Sequence, residues 1–430
     1  MDAPETISNR RHPWRWVPTL YFAQGIPYVA VMTLAVVMYK NFGISNTDIA
    51  LYTSWLYLPW VIKPLWAPLI DLWRTKRWWI TTLQFLIGTA FALIALTVSA
   101  PFFFQATLAV FWLLAFSSAT HDIAADGFYL LALDKPRQAA FVGVRSTFYR
   151  IAMIAGQGGL VFLAGAWAER TGSMTQAWTG VFAVLAGFFG VMAIFHWRAL
   201  PRPADDRTGA AATATSPWAG WWTVFAAFFR RPGIAVILGF LLFYRFAEAQ
   251  LLKLATPFLL DERAVGGLGL STKQVGVIYG TFGVVALTIG GLAGGYLVSR
   301  YGLRRLLWWM VGAMHVPNLV FVALAMTQPE NSVMIGGALV LEQLGYGFGF
   351  TAYLVYMMMA AEGSHKTAHY ALCTGFMALG MMLPGMGAGW LQEQLGYENF
   401  FIWIMISAIP SLGAAALIKI DDSFGQAKTA

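Results

Sequence analysis

The chain has 430 residues, of which 58% are hydrophobic and only 11% charged, with a net charge of +8. Soluble domains carry about 25% charged residues, so an ordinary cytosolic enzyme is excluded and lipid is the expected solvent. The single cysteine, Cys373, excludes an internal disulfide or a multi-cysteine metal site and reads as a small buried apolar side chain.

Apolar runs of about 20 residues, long enough to cross a hydrocarbon core as helices, recur from end to end. In chain order, spans 1 to 12 are expected near 16–40, 47–70, 78–99, 105–133, 139–168, 175–197, 233–260, 273–299, 304–326, 332–361, 367–391 and 397–420. Residues 1–15 form a polar arm with Arg10, Arg11 and Arg15. No small-residue cleavage site follows the first apolar run, so that run is expected to remain as span 1. Residues 199–232 form the one long polar break, holding the low-complexity stretch Gly209–Ser216 and a short amphipathic segment near Trp218–Phe229. The expected organisation is therefore a cytoplasmic N-terminus (1–15), a six-helix bundle (16–198), a linker with a short amphipathic helix (199–232), a second six-helix bundle (233–420) and a cytoplasmic tail (421–430).

The charges sort by side. With both termini inside, nineteen Lys and Arg fall in inner segments and only Lys40, Arg170, Arg263 and Lys273 in outer loops. This bias orients the chain and argues against nucleic acid as the reason for the positive charge. The halves also repeat: Gly43-Ile-Ser-Asn-Thr-Asp48 ahead of span 2 is echoed by Gly269-Leu-Ser-Thr-Lys-Gln274 ahead of span 8, each expected to cap the next helix. Such repeats imply a substrate site at mid-membrane on a shared axis.

Charges at bilayer depth cost at least about 2.5 to 3.5 kcal/mol and usually face a cavity or a partner. Asp122 and Asp126 lie four apart on one face of span 4, a pairing suited to carrying protons. Span 5 offers Arg145, Tyr149 and Arg150; span 7 places Arg245 and Glu248 three apart, as for an ion pair; Lys63 and Glu342 complete the set. Each could equally be a static interior pair. His121 and His315 suit hydrogen-bonded structural roles better than ligand contacts. Among the aromatic residues, Tyr21, Tyr28, Tyr149 and Tyr353 are candidates to stack on sugar rings. Glycines in spans 5, 8 and 11, including Gly158, Gly290, Gly294, Gly385 and Gly389, are expected to let helices pack closely. No phosphate-binding Gly-x-x-x-x-Gly-Lys loop or metal-ligand cluster stands out, so no cofactor is expected.

The segment Gly295–Arg305 reads G-x-x-x-S-R-x-G-x-R-R, similar to the loop signature of major facilitator transporters. Here Gly295 would allow close helix approach, Gly302 the turn, and Arg300 and Arg304 would brace helix ends at a cytoplasmic gate with Asp71 from the first half. A purely topological role for the arginines is the alternative. Five further stretches, Tyr-Phe-Ala-Gln-Gly-Ile-Pro at 21–27, Lys-Pro-Leu-Trp-Ala-Pro-Leu-Ile-Asp at 63–71, His-Asp-Ile-Ala-Ala-Asp at 121–126, Tyr-Arg-Phe-Ala-Glu at 244–248 and Leu-Glu-Gln-Leu-Gly-Tyr-Gly-Phe-Gly at 341–349, together with Tyr149-Arg150, resemble the AmpG-type muropeptide permeases of that superfamily. The resemblance implies an all-α major facilitator fold of twelve helices in two pseudo-symmetric six-helix halves. It also implies a monomer in a bacterial inner membrane that imports anhydro-muropeptides with protons. On motif matches Asp122 and Asp126 look like the family's paired acids of span 4, Lys63 and Asp71 like its span-2 pattern and Glu342 like its span-10 acid. Taken with the charges inside the spans, proton-coupling roles are expected for Asp122, Asp126, Glu248 and Glu342, and substrate contacts for Gln24, Tyr28, Lys63, His121, Tyr149, Arg150, Arg245 and Tyr353. The alternative cargo is a siderophore or another small peptide-like metabolite, and the alternative direction is drug export.

Overall fold

Helices form wherever the apolar runs lie, because backbone groups in hydrocarbon must be hydrogen-bonded within their own segment. A computed structural model describes residues 12–204, 206, 217–363 and 366–421, and no strand occurs among them. The N-terminal arm to residue 11, the run Gly209–Ser216 and the tail from 422 lie outside the described residues.

Among the described residues, ten helices are long and apolar enough to cross a membrane: Pro13–Asn41, Lys76–Thr97, Phe103–Ala132, Pro136–Thr171, Met174–Ala199, Ile234–Leu260, Thr272–Tyr301, Leu303–Thr327, Ser332–Ala360 and Ala368–Leu417. The last comprises two helices meeting at Gly396, whose φ of 72° a side chain would resist. Span 2 escapes the length criterion because it consists of two shorter helices, Asn46–Trp55 and Leu58–Trp73. The architecture is thus all-α and multi-pass, consistent with the expected twelve spans. The repeated loops do cap: Ser45 accepts from the Asp48 amide, and Ser271 with Gln274 forms a reciprocal capping box. The linker carries the helix Pro217–Phe229.

By packing, the chain divides into one unit of Met1–Thr33, Ile62–Gly156 and Trp167–Trp222 and another of Leu34–Val61, Gln157–Ala166 and Thr223–Ala430. In the first, Trp16, Leu20, Tyr21, Ile80, Phe128 and Leu200 are buried together. In the second, one cluster gathers around Phe258, Phe321, Phe400 and Phe401 and another around Phe240, Tyr244, Met314 and Tyr353. Large apolar residues such as Leu96, Trp309 and Val333 are exposed, as lipid-facing flanks require.

Within the second unit, span 8 meets span 10 through glycines. A side chain at Gly290 would strike the Leu344 carbonyl, and one at Gly347 would strike the Leu287 carbonyl. Gly158 of span 5 abuts Gly280, and Gly389 abuts the backbone of Asn46. At Gly387, by contrast, an added Cβ meets nothing within 4 Å. Gly347→Val should therefore cost about 1–3 kcal/mol of stability by overpacking, read as a lowered melting temperature of the purified protein, whereas Gly387→Ala should leave it unchanged.

Candidate functional site

Asp122 and Asp126 stand one turn apart on Phe103–Ala132, so both side chains leave the helix on the same face. Each meets its own cation. Lys63, from Leu58–Trp73, places Nζ 2.7 Å from Asp122 Oδ2, and Arg145, from Lys135–Ile154, places an Nη 2.9 Å from Asp126 Oδ1. Span 1 adds neutral donors: Gln24 Nε2 donates to Asp122, and Tyr21 Oη donates to Asp126 at 3.2 Å. The Arg145 guanidinium also lies over the rings of Tyr21 and Tyr129, 4.6 and 5.6 Å from their centroids.

The pairs are not sealed. Side-chain exposure is 22% for Asp122 and 39% for Asp126, against 18% for Lys63 and 32% for Arg145. Two negative and two positive charges therefore balance across spans 1, 2, 4 and 5, within reach of water or cargo. A proton arriving on either carboxylate cancels one charge and frees the facing cation, so proton occupancy is linked to how these four spans hold together.

His121 belongs elsewhere. It is 1% exposed, and its Nε2 lies 3.1 Å from Gln84 Nε2 rather than toward a cavity. Gln84 Oε1 lies 2.8 Å from His196 Nδ1, and His196 Nε2 lies 3.0 Å from Thr19 Oγ1. With the amide donating to His121 Nε2 and accepting from His196 Nδ1, His121 is neutral and carries its proton on Nδ1, and His196 also carries a proton on Nδ1. The expected substrate contact at His121 is thus corrected to membership of a buried polar chain tying spans 1, 3, 4 and 6. Tyr28, Tyr149 and Arg150 are half-buried, and Tyr149 flanks Gly25 where spans 1 and 5 approach closely. Asp71 lies in Leu58–Trp73, but its side chain is outside the described residues.

The second unit holds its own buried acids. Glu248 is fully buried and accepts from Asn318 Nδ2 at 2.7 Å, with His315 Nδ1 3.5 Å away. Glu342 accepts from Gln343 at 2.9 Å, and Gln343 reaches Tyr279 Oη at 3.3 Å. The expected Arg245–Glu248 ion pair does not form, because the helix is interrupted there: Arg245 is the N-cap of Phe246–Leu260, with φ −107° and ψ 20°. Its guanidinium instead donates to Tyr346 Oη and lies 4.5 Å from the Phe350 ring centroid. Tyr353 is also corrected: it is fully buried, donates to the Leu241 carbonyl at 2.6 Å and stacks against Phe240, Tyr244 and Phe350, leaving no face for a sugar.

At the expected cytoplasmic gate, Gly302 adopts φ 80° and makes the turn between Val284–Tyr301 and Leu303–His315. Arg300 and Arg304 are exposed, Arg300 lying 5.5 Å from the Tyr301 ring centroid. Gly295 does not make the close approach expected of it, since an added Cβ there meets nothing within 4 Å; its neighbour Gly294 does, against Phe348 and Thr351.

Sequence reasoning missed a polar knot in the second unit. Asp261 pairs with Lys40 at 2.5 Å and accepts from Tyr397 Oη at 2.6 Å, while Asn46 donates to Gln392 at 2.7 Å and lies 2.9 Å from Tyr397 Oη. The one available signal was Asn46, polar within the repeated capping loop.

A bundle of apolar helices with buried, exchangeable charge pairs defines a multi-pass membrane transporter of small molecules, not an enzyme. The sequence profile described as Major Facilitator Superfamily matches residues 19–383. The chain belongs to the Major Facilitator Superfamily. It is 27% identical over 409 residues to the anhydromuropeptide permease of Escherichia coli, covering 91% of this chain and 77% of that one, in keeping with the expected resemblance. Its fold matches the crystal structure of a D-xylose–proton symporter with a TM-score of 0.73 at 10% identity, covering 96% of this chain and 98% of that one. It also matches that of the nucleoside transporter NupG with a TM-score of 0.68 at 18% identity, covering 94% and 98%.

The buried chain yields its own expectation. Gln84→Leu removes the amide both histidines bond to, which should cost about 2–6 kcal/mol at roughly 1–3 kcal/mol for each of the two orphaned groups. Thermal unfolding of the purified variant checks this, and Thr89→Val, whose exposed hydroxyl bonds only to its own helix, should stay near wild type.

Proposed function

We propose that the chain is a proton-driven importer of anhydro-muropeptides, sugar-peptide fragments of cell-wall turnover, working by alternating access in a bacterial inner membrane with both termini cytoplasmic. The observation that carries this reading is the paired ladder Asp122–Lys63 and Asp126–Arg145, in which each carboxylate is partly exposed and already holds a cation. The kinship with an anhydromuropeptide permease supports the cargo.

In this reading a proton taken up by Asp126 breaks its pair and releases Arg145. The freed guanidinium must then meet water or an anionic group of the cargo before that face closes, and re-ionisation on the far side restores the pair. Gln24, Tyr28, Tyr149 and Arg150 line the same unit and offer hydrogen bonds and ring surface to a sugar-peptide. Glu248 and Glu342 supply further protonatable groups in the second unit. The gradient alone drives the cycle, with no bound cofactor, and a monomer suffices.

The test is uptake of labelled anhydro-muropeptide into proteoliposomes under an imposed inward proton gradient, with and without protonophore. Gradient-dependent accumulation supports the proposal; none in vesicles shown to be functional overturns the cargo. Asp126→Asn should abolish uphill accumulation while leaving insertion and gradient-free exchange of cargo intact, because only the titrating proton is lost. Accumulation persisting in that variant would remove Asp126 from the coupling.

A further inference from the structure

Among the described residues, Lys253 is a cation without a countercharge. It lies on Phe246–Leu260 at 5% exposure, and its only hydrogen bond runs from Nζ to Thr53 Oγ1, at 2.9 Å. The ring of Tyr57 lies beneath it, with its centroid 5.1 Å from Nζ. Glu248, on the same helix, is no counterion: five positions at about 100° each set the two some 140° apart around the axis, and Glu248 is held by Asn318. A buried ammonium satisfied by one neutral hydroxyl and one ring face carries a desolvation cost that no anion among the described residues offsets.

The surroundings are those of an anion site. Thr53 already donates its own hydroxyl proton to the Ile49 carbonyl at 2.6 Å, so it offers Lys253 only a lone pair. Ser54 Oγ is fully buried and has no hydrogen-bond partner. Both Ser54 Oγ and the Lys253 stem border Gly385, where a Cβ would lie 2.8 Å from the hydroxyl and 3.2 Å from Lys253 Cγ. The stem of a lysine whose ammonium has donors to spare, a hydroxyl with a proton to spare and a residue lacking a side chain thus adjoin one another. A carboxylate supplies what this constellation lacks, since charge-assisted hydrogen bonds are about twice as strong as neutral ones.

We propose that Lys253 and Ser54, beside Gly385, form an anion subsite in which a carboxylate of the cargo displaces the Thr53 hydroxyl from the ammonium. The subsite rests on the transport reading above, and its chemistry is that of a free carboxylate on a peptide.

Two binding assays on the purified full chain test it. In the first, affinity is measured for labelled anhydro-muropeptide and for the same molecule with its carboxyl groups converted to carboxamides. Wild type should prefer the acid. Lys253→Gln should weaken the acid about tenfold and leave the amide unchanged, the loss of one charge-assisted contact. Ser54→Ala deletes a hydroxyl that has no partner in the fold, so it should remain well folded and weaken the acid about fivefold. In the second assay, the melting temperature is followed with N-acetyl-dialanine and its carboxamide; only the acid should stabilise wild type, and Lys253→Gln should lose the effect. Wild type that binds neither muropeptide form yet is stabilised by the dipeptide acid, with the effect lost in Lys253→Gln, refutes the muropeptide cargo and retains the subsite. An acid preference unchanged in Lys253→Gln and Ser54→Ala, or absent from wild type in both assays, overturns the subsite.

Discussion

The structure is governed by the expense of holding charge where water is scarce, and the Asp122–Lys63 and Asp126–Arg145 pairs are its clearest expression. Either carboxylate alone would bear an unrelieved desolvation cost, and so would either cation. Because the four charges come from spans 2, 4 and 5, with Gln24 and Tyr21 added from span 1, the need for neutrality becomes a rule of assembly: these helices must sit together. Apolar packing around Trp16, Phe128 and Leu200 then supplies the bulk of the contact without fixing its register.

Much of the fold was legible because lipid imposes it. The membrane-length helices lie where apolar runs were readable, with ends within a few residues of those expected, since a helix in hydrocarbon has no competing way to satisfy its backbone. The capping loops at Ser45 and Ser271 were legible as local chemistry, and the shared face of Asp122 and Asp126 followed from helical spacing alone. The interruptions were less legible. Span 2 breaks after Trp55, where Pro59 withholds the amide that the Trp55 carbonyl would accept from, whereas span 7 breaks after Phe243 with neither proline nor glycine at the break. The second interruption undid the three-residue spacing of Arg245 and Glu248, which holds only on a continuous helix.

Orientation around a helix was the other illegible element. His121 adjoins Asp122 in sequence, yet about 100° of rotation sends it into the Gln84–His196 chain while Asp122 meets Lys63. Tyr353 and Gly295 failed for the same reason. An aromatic residue or a glycine in an apolar helix reads alike whether it meets cavity, lipid or neighbour, and only the packing decides. Lys253 was visible as a charge in a span, but its lack of an acidic partner is a fact of three dimensions.

The two units satisfy their buried charges differently, and the difference bears on how a transporter can couple two ligands. In the first unit, carboxylates are held by cations, so the arrangement responds to anything that changes charge, above all a proton. In the second, beside the one Lys40–Asp261 ion pair, Lys253 rests on a hydroxyl, Glu248 on an amide with His315 beside it, and Glu342 on the Gln343 amide. Neutral partners hold a charge weakly and yield readily to a group of opposite sign. A proton therefore acts most strongly where pairs are already made, and a charged cargo where they are not. Were both units built from tight ion pairs, a charged cargo would have to break one before it could bind. Were both built from neutral partners, protonation would free no cation from its carboxylate, and proton binding would have little leverage on helix packing.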